Sequence, residues 1–256
     1  MRTVLICHEE DRLNRVGLAR WLGSFSNLAG IVVLRETPER KRRRVKREIE
    51  RVGWVRFVDV LAFRAYYSAF LASRDRVWEE ALITRLCADY PDPETKELIT
   101  STPNTPEAEA FIRECAPDVI IARCKTLIAA RVFTIATVGT FVMHPGICPE
   151  YRNAHGCFWA VANGDTDNVG MTLLKIDKGV DTGPTYGYFR VRPHANESHI
   201  VLQHRTVFDN LGEIRKALEQ IVAGKAIRID TAGRSSAEWG QPWLTKYFEW
   251  TRVLRS

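Results

Sequence analysis

No two cysteines in this chain have C-x-x-C spacing, and none of the six, at positions 7, 87, 115, 124, 148 and 157, has the spacing to a histidine of a zinc site. A disulfide framework and a bound metal are therefore not expected. No export leader is expected, since Met1 and Arg2 run straight into the strand-like residues 3–7. Together with free thiols, this points to the cytoplasm. No apolar run is long and clean enough to span a bilayer: the nearest, residues 54–71, is roughly eighteen residues long and contains Arg56, Asp59 and Arg64. Net positive charge is confined to one place. The formal net charge is +6, but residues 40–47 alone hold seven basic side chains and the rest sums to about −1.

The chain opens as a βαβ unit: strand 3–7, helix 11–22 ended by Gly23, strand 29–35. The next strand-like run, 97–102, lies about sixty residues on, whereas a crossover needs only about a dozen to twenty-five. An insert at about 38–96, mainly helical and lying outside the sheet, fills the gap. Its basic run is nearly continuous and would encircle a helix rather than form a stripe, and Glu36, Glu39, Glu48 and Glu50 stand within pairing distance. A solvated helix is the reading preferred to a nucleic-acid patch. Residues 54–71, apolar on most sides, are expected to be covered by the domain or by a second copy in a homodimer; the basic run beside them keeps membrane-surface contact open as the alternative.

Further along, Pro106 starts a helix that runs to about Ala116, and residues 119–122 form an apolar run of the kind buried on both faces of a parallel sheet. A helix at 127–136 follows. Residues 140–143 read as a strand stopped by His144-Pro145, which places a histidine where open α/β sheets do chemistry. Then come a helix over 150–163, a strand at 170–176, a loop at 178–184, an edge strand at 186–192 and a long amphipathic helix over 199–222. The fold expected is α/β, with a Rossmann-like, mostly parallel sheet in a domain of residues 1–224. A tail, 225–256, is expected to pack on that domain through Trp239, Trp243, Tyr247, Phe248 and Trp250.

Two stretches carry the chemistry: HPGICPEYRNAHG from His144, and NVGMTLLKIDKGVDTGP from Asn168. Their order and spacing resemble the signature of the folate-dependent formyltransferases, Asn-x-His-Pro-Ser-Leu-Leu-Pro-x-Tyr-Arg-Gly, then roughly thirty residues to Gly-Val-Thr and on to Val-Asp-x-Gly. That family includes the glycinamide ribonucleotide, methionyl-tRNA and sugar N-formyltransferases. The resemblance covers about residues 95–222 and implies a formyltransferase fold, with His144 and Asp181 as the catalytic pair. It also implies a 10-formyltetrahydrofolate-type donor, held near Arg123, Cys124, Ile176, Asp177 and Val180. A small amine, such as an amino sugar or a nucleotide-linked amine, would be accepted near His8, Tyr151, Asn153 and His155.

The chain departs from the family pattern in three places. The expected asparagine two residues before the histidine is Val142; the turn after the first strand is His8-Glu9-Glu10-Asp11, a poor phosphate cradle; and no C-terminal barrel is visible, so a tRNA substrate is not expected. Formyl transfer passes through a tetrahedral intermediate, and losing one oxyanion donor costs about 10²–10³-fold in rate. Valine cannot donate. Lys125 is the first candidate to replace the missing donor, followed by Arg123 and Asn153. Two other readings stay open, hydrolysis of a formyl or related acyl group by the same pair, and a non-catalytic binding protein on the same fold.

Overall fold

Strand and helix signals alternate along the chain, and in the computed structural model, which describes residues 1–255, they assemble into a seven-stranded sheet. The order of elements begins with β1 (Arg2–His8), a π-helical turn (Leu13–Leu18), α1 (Ala19–Gly23), β2 (Asn27–Leu34), α2 (Pro38–Phe70), α3 (Ala72–Asp89) and β3 (Glu97–Thr100). It continues with α4 (Pro106–Cys115), β4 (Val119–Arg123), α5 (Ala130–Phe133), β5 (Gly139–His144), β6 (Arg152–Asn153) and α6 (Gly156–Ala162). A 3₁₀ turn (Thr166–Asn168), β7 (Gly170–Lys175), β8 (Thr185–Arg190), α7 (His199–Phe208), α8 (Leu211–Val222), β9 (Glu238–Trp239) and α9 (Leu244–Val253) complete it.

The strands lie in the order β3-β2-β1-β4-β5-β7-β8. The first five are parallel, while β7 is antiparallel to β5 and β8 to β7. Central strands are apolar throughout because both faces are covered. Along β1, Leu5 and Cys7 enter a core with α1, α3, α7 and α8, while Val4 and Ile6 face α4 and α5. The strand order reverses between β1 and β4, which opens a crevice at their C-terminal ends.

The insert is helical, as its length required. Thr37 caps α2 by accepting from the Arg40 N–H, and Gly53 (φ 79, ψ 161) kinks it. Of residues 54–71, the domain covers one face. Phe57, Val60 and Phe63 are buried, with Phe63 against Phe158 and Tyr247, whereas Trp54 is 71% exposed and Val58 63%. The basic run is solvated and partly paired with carboxylates, Arg44 with Glu36 at 2.7 Å and Lys46 with Glu50 at 3.8 Å.

Four helix boundaries also differ from the sequence reading. The first half of helix 11–22 is a π turn, at Gly17, where α3 comes so close that a Cβ would lie 2.5 Å from Leu86 Cδ1. Of 127–136 only Ala130–Phe133 is α-helical, and the Ala129 N–H before it donates to the Asn104 side chain at 2.7 Å. Helix 150–163 is reduced to α6, since Asn153 (φ 77) and His155 (φ 55) are left-handed and Gly156 sits against the Gly146 backbone. Helix 199–222 breaks at Asn210, whose side chain donates to the Thr206 carbonyl at 3.1 Å, and α8 then turns to bury Leu211, Ile214, Leu218 and Ile221.

The tail closes the molecule. Trp250 stacks on Phe158 at 5.5 Å, and β9 pairs with β6. Among the described residues no helix is long and apolar enough to cross a membrane, and no group of three or more His, Cys, Asp or Glu is placed to hold a metal ion.

Candidate active site

β5 delivers His144 to the C-terminal edge of the sheet, and Pro145 ends the ladder there. The imidazole is 3% exposed. Its Nε2 donates to the Tyr151 carbonyl at 2.8 Å, and its Nδ1 lies 3.4 Å from Asp181 Oδ2. Glycine at 146 makes this closure feasible: a Cβ there would lie 2.4 Å from the Tyr151 oxygen and 2.9 Å from the imidazole Nε2.

Asp181 stands on the loop after β7 in a left-handed conformation (φ 52). Its Oδ2 accepts from the Asn153 N–H at 2.9 Å, and Arg152 Nη1 holds the neighbouring Val180 carbonyl at 2.8 Å. Asp177 ties the start of that loop by accepting from the Gly179 N–H and the Thr182 hydroxyl, each at 2.9 Å. Asp181 Oδ1 has no hydrogen-bond partner among the described residues, and the side chain is 14% exposed. Three of the four non-glycine residues with positive φ, Asn153, His155 and Asp181, belong to this small region. Strain of this kind persists only where surrounding contacts over-determine it.

Burial opposes a charge on His144, but the Asp181 carboxylate, Cys148 and the Tyr151 carbonyl outweigh it and lift the pKa to about 9. At neutral pH the group is therefore an imidazolium facing a carboxylate. A neutral wall lies beside it: Ala122, Val142 and Leu174 are in register across β4, β5 and β7, on the sheet face shared with His144 and Thr172. Half-buried Val142 thus puts apolar surface where an amide donor was sought.

The other predicted residues divide into groups. Arg123 is engaged within the protein, with Nε on Asn14 Oδ1 at 3.1 Å and Nη1 on the Met143 carbonyl, and its desolvation by burial lowers its pKa. The Cys124 thiol is pushed up to about 11 by burial and stays neutral. Lys125 donates its backbone N–H to His8 Nε2 at 3.0 Å, which fastens the ends of β1 and β4 and places both residues in the switch-point crevice. The Lys125 ammonium has no ion pair among the described residues; desolvation, then the Arg44 guanidinium, lowers its pKa. Open to solvent yet walled by protein atoms, it is a cation of the crevice, and its charge is also felt at His155.

Tyr151 does not line an acceptor pocket. It is 5% exposed, its hydroxyl donates to Asp165 at 2.9 Å and its ring stacks on Trp239, because the turn closing on His144 drives it inward. Asn153 is already engaged, with Nδ2 donating to the Trp239 carbonyl at 2.6 Å. His155 Nδ1 accepts from Gln203 at 3.2 Å, and burial followed by His199 holds its pKa well below the usual range. Ile176 and Val180 stand half-buried at the rim of the Asp181 loop.

Two features escaped the sequence reading. Thr172 links the motif's halves, donating to the Gly146 carbonyl at 2.6 Å and accepting from the Cys148 N–H at 3.0 Å; its place opposite His144 in the β5–β7 register was the available signal. The contribution of the tail to this region had no signal of its own. A groove of about 650 Å³ lies along α2, lined by Lys41, Val45, Ile49 and Trp54 among others, and none of its residues belongs to the His144–Asp181 region.

With this geometry in place, comparison with known proteins is informative. Residues 76–212, over half of the chain, match the family model described as formyl transferase. A methionyl-tRNA formyltransferase of Dehalococcoides mccartyi is 32% identical over 117 residues, 45% of this chain and 37% of that protein. A GDP-perosamine N-formyltransferase of Brucella melitensis is 27% identical over 146 residues, 57% of this chain and 53% of that one. These matched segments thus span less than two thirds of each relative. Among solved structures, a phosphoribosylglycinamide formyltransferase from Anaplasma phagocytophilum superposes with a TM-score of 0.56 at 12% identity, covering 93% of this chain and 97% of that one. A sugar N-formyltransferase from a Shewanella species gives 0.56 at 11% identity, over 99% and 88%. The fold, the order of the motif residues and the extent of the family match lead to one conclusion: this chain belongs to the formyl transferase family.

Proposed function

We propose that this protein transfers a formyl group from a 10-formyltetrahydrofolate-type donor to a small amine, in the class of amino sugars and nucleotide-linked amines. The observation that carries the reading is the buried imidazolium of His144 held against Asp181, with one carboxylate oxygen left free. Donor and acceptor bring the formyl carbon and the amine nitrogen; the chain supplies charge and a proton acceptor. As the amine adds to the formyl carbon its proton passes to Asp181 Oδ1; as the tetrahedral intermediate collapses, the bond from the formyl carbon to N10 of the donor breaks and that proton passes on to N10, which leaves as tetrahydrofolate. The His144 cation stabilises the developing oxyanion through a low-dielectric surrounding, which raises the worth of each charge.

The neutral row of Ala122, Val142 and Leu174 suits the flat, uncharged end of a folate, with Cys124, Ile176, Asp177 and Val180 at its edges. Lys125 and His8 line the crevice on the acceptor side, where an unpaired ammonium suits an acceptor carrying an anionic group. The similarity to a GDP-perosamine N-formyltransferase supports this acceptor class.

A second reading rests on the same free oxygen. Asp181 Oδ1 serves water as readily as an amine, and Val142 withholds the family's amide donor. Incubating the protein with 10-formyltetrahydrofolate and a panel of amino sugars and sugar nucleotides, with mass-spectrometric product analysis, separates the readings. Formylated amine supports transfer, whereas formate released without any amine supports hydrolysis. Absence of both, together with absence of folate binding, would remove the enzymatic reading.

A further inference from the structure

The Tyr151 carbonyl and the Asn153 N–H, which hold the candidate pair, belong to residues 151–153, and these are held in turn by the chain's tail, outside the matched residues 76–212. On the site side, the Tyr151 carbonyl receives His144 Nε2, the Asn153 N–H reaches Asp181, and Arg152 holds Val180. On the other side β9 lies parallel to β6, pairing Arg152 with Glu238 and Asn153 with Trp239. The Arg152 N–H donates to the Ala237 carbonyl at 3.1 Å and the Ala237 N–H to the Pro149 carbonyl at 3.2 Å. Trp239 Nε1 donates to the Glu150 carbonyl at 2.8 Å, and the Trp239 carbonyl accepts from Asn153 Nδ2 at 2.6 Å. Its ring stacks on Tyr151 at 5.8 Å and on Trp159 at 4.8 Å. Arg234 completes the clamp with two bonds to Glu150, at 2.9 and 2.7 Å.

We propose that β9, with Trp239 at its centre, is a positioning element for the His144–Asp181 pair, so that the tail as well as the matched region sets the geometry of the site. The functional meaning of this inference rests on the reading of the pair as formyl-transfer machinery. The physical need for the clamp is visible in the backbone. A turn with left-handed Asn153 and His155, facing a left-handed Asp181, does not keep its shape unaided. An ångström of drift at the carboxylate would be felt at once in the pairing and in the chemistry. Trp239 touches neither partner; it acts through the two backbone groups that do.

The test reads the pair directly. In the full-length chain, the histidine side chains are followed by NMR across a pH series, with His144 assigned by its loss in His144→Gln. Trp239→Ala is expected to lower the His144 pKa by about one unit or more, a tenfold change in proton affinity, and Trp239→Phe, which keeps the stacking, by less. Trp243→Ala removes an equal ring from the same tail, one that packs on Trp159 and Arg56, and is expected to leave His144 unchanged. Should Trp239→Ala fail to fold, Asn153→Gly carries the test, because glycine keeps the left-handed backbone and removes only the side-chain bond to β9. The proposal is overturned if His144 titrates within about 0.2 unit of wild type in the folded variant, or if Trp243→Ala shifts it equally. Failure of the formyl-transfer reading would instead appear as an inactive wild type with these shifts intact.

Discussion

His144 and Asp181 differ in which of their atoms are still free. The imidazole is closed in, Nε2 on a carbonyl and Nδ1 towards a carboxylate, whereas Asp181 Oδ1 has no hydrogen-bond partner among the described residues; in the proposed reaction the first is a fixed cation and the second the proton acceptor. Both residues were legible in the sequence from the motif spacing. Their division of labour was not, because it depends on the Tyr151 carbonyl. Lys125, favoured from the sequence as the replacement donor, lies where its strand end predicted, with its backbone N–H bonded to His8 and its ammonium without an ion pair among the described residues. Val142 is the departure that a substitution addresses most directly. Val142→Asn, on the face shared with His144, should raise formyl turnover by about 10-fold or more by returning an amide donor, read as kcat with stability tracked alongside. A rate unchanged within about twofold would mean that the oxyanion needs no donor there.

At the scale of elements, strands were read well because an unbroken apolar run or a strict alternation leaves little choice. Helices were read too long wherever a side chain or a close backbone contact ended them, as Asn210 does between α7 and α8 and the Gly146–Gly156 approach does before α6. β9 was invisible: a two-residue strand has no periodicity, and its partner β6 sits in a turn of left-handed residues other than glycine. In α2 the apolar residues of 54–71 lie on most sides, so their pattern does not say which face packs. The structure assigns Phe63 inward and Trp54 outward. Phe63→Ala is expected to cost about 3–5 kcal/mol and Trp54→Ser to stay within about 0.5 kcal/mol, measured by urea unfolding. Equal costs would reverse the assigned face.

Across the whole molecule, buried histidines shape stability against pH from both sides. His144 has a folded pKa of about 9 against an ordinary 6.5, so its contribution is complete below about pH 6.5 and fades as pH rises to about 9, worth on the order of 3 kcal/mol in all. His199 has the opposite sign. Packed among Phe63, Tyr67 and Phe158 with Nδ1 unpartnered, it is pushed by burial to about 3, so stability present above about pH 6.5 is lost on acidification towards that value. His199→Phe, which suits the same aromatic pocket, is expected to flatten the acid limb of a melting-temperature profile between about pH 6.5 and 4. An unchanged acid limb would shift the blame to other groups.

The central claim, that a cationic His144 and a free Asp181 oxygen carry out formyl chemistry, is tested most directly by the pH dependence of 10-formyltetrahydrofolate turnover in wild type and Asp181→Asn. The account predicts that wild-type turnover falls as pH rises through about 9, where His144 loses its proton, and that Asp181→Asn is slower by at least about 10²-fold at neutral pH. Turnover by Asp181→Asn within about twofold of wild type, with no alkaline fall in either protein, would contradict it.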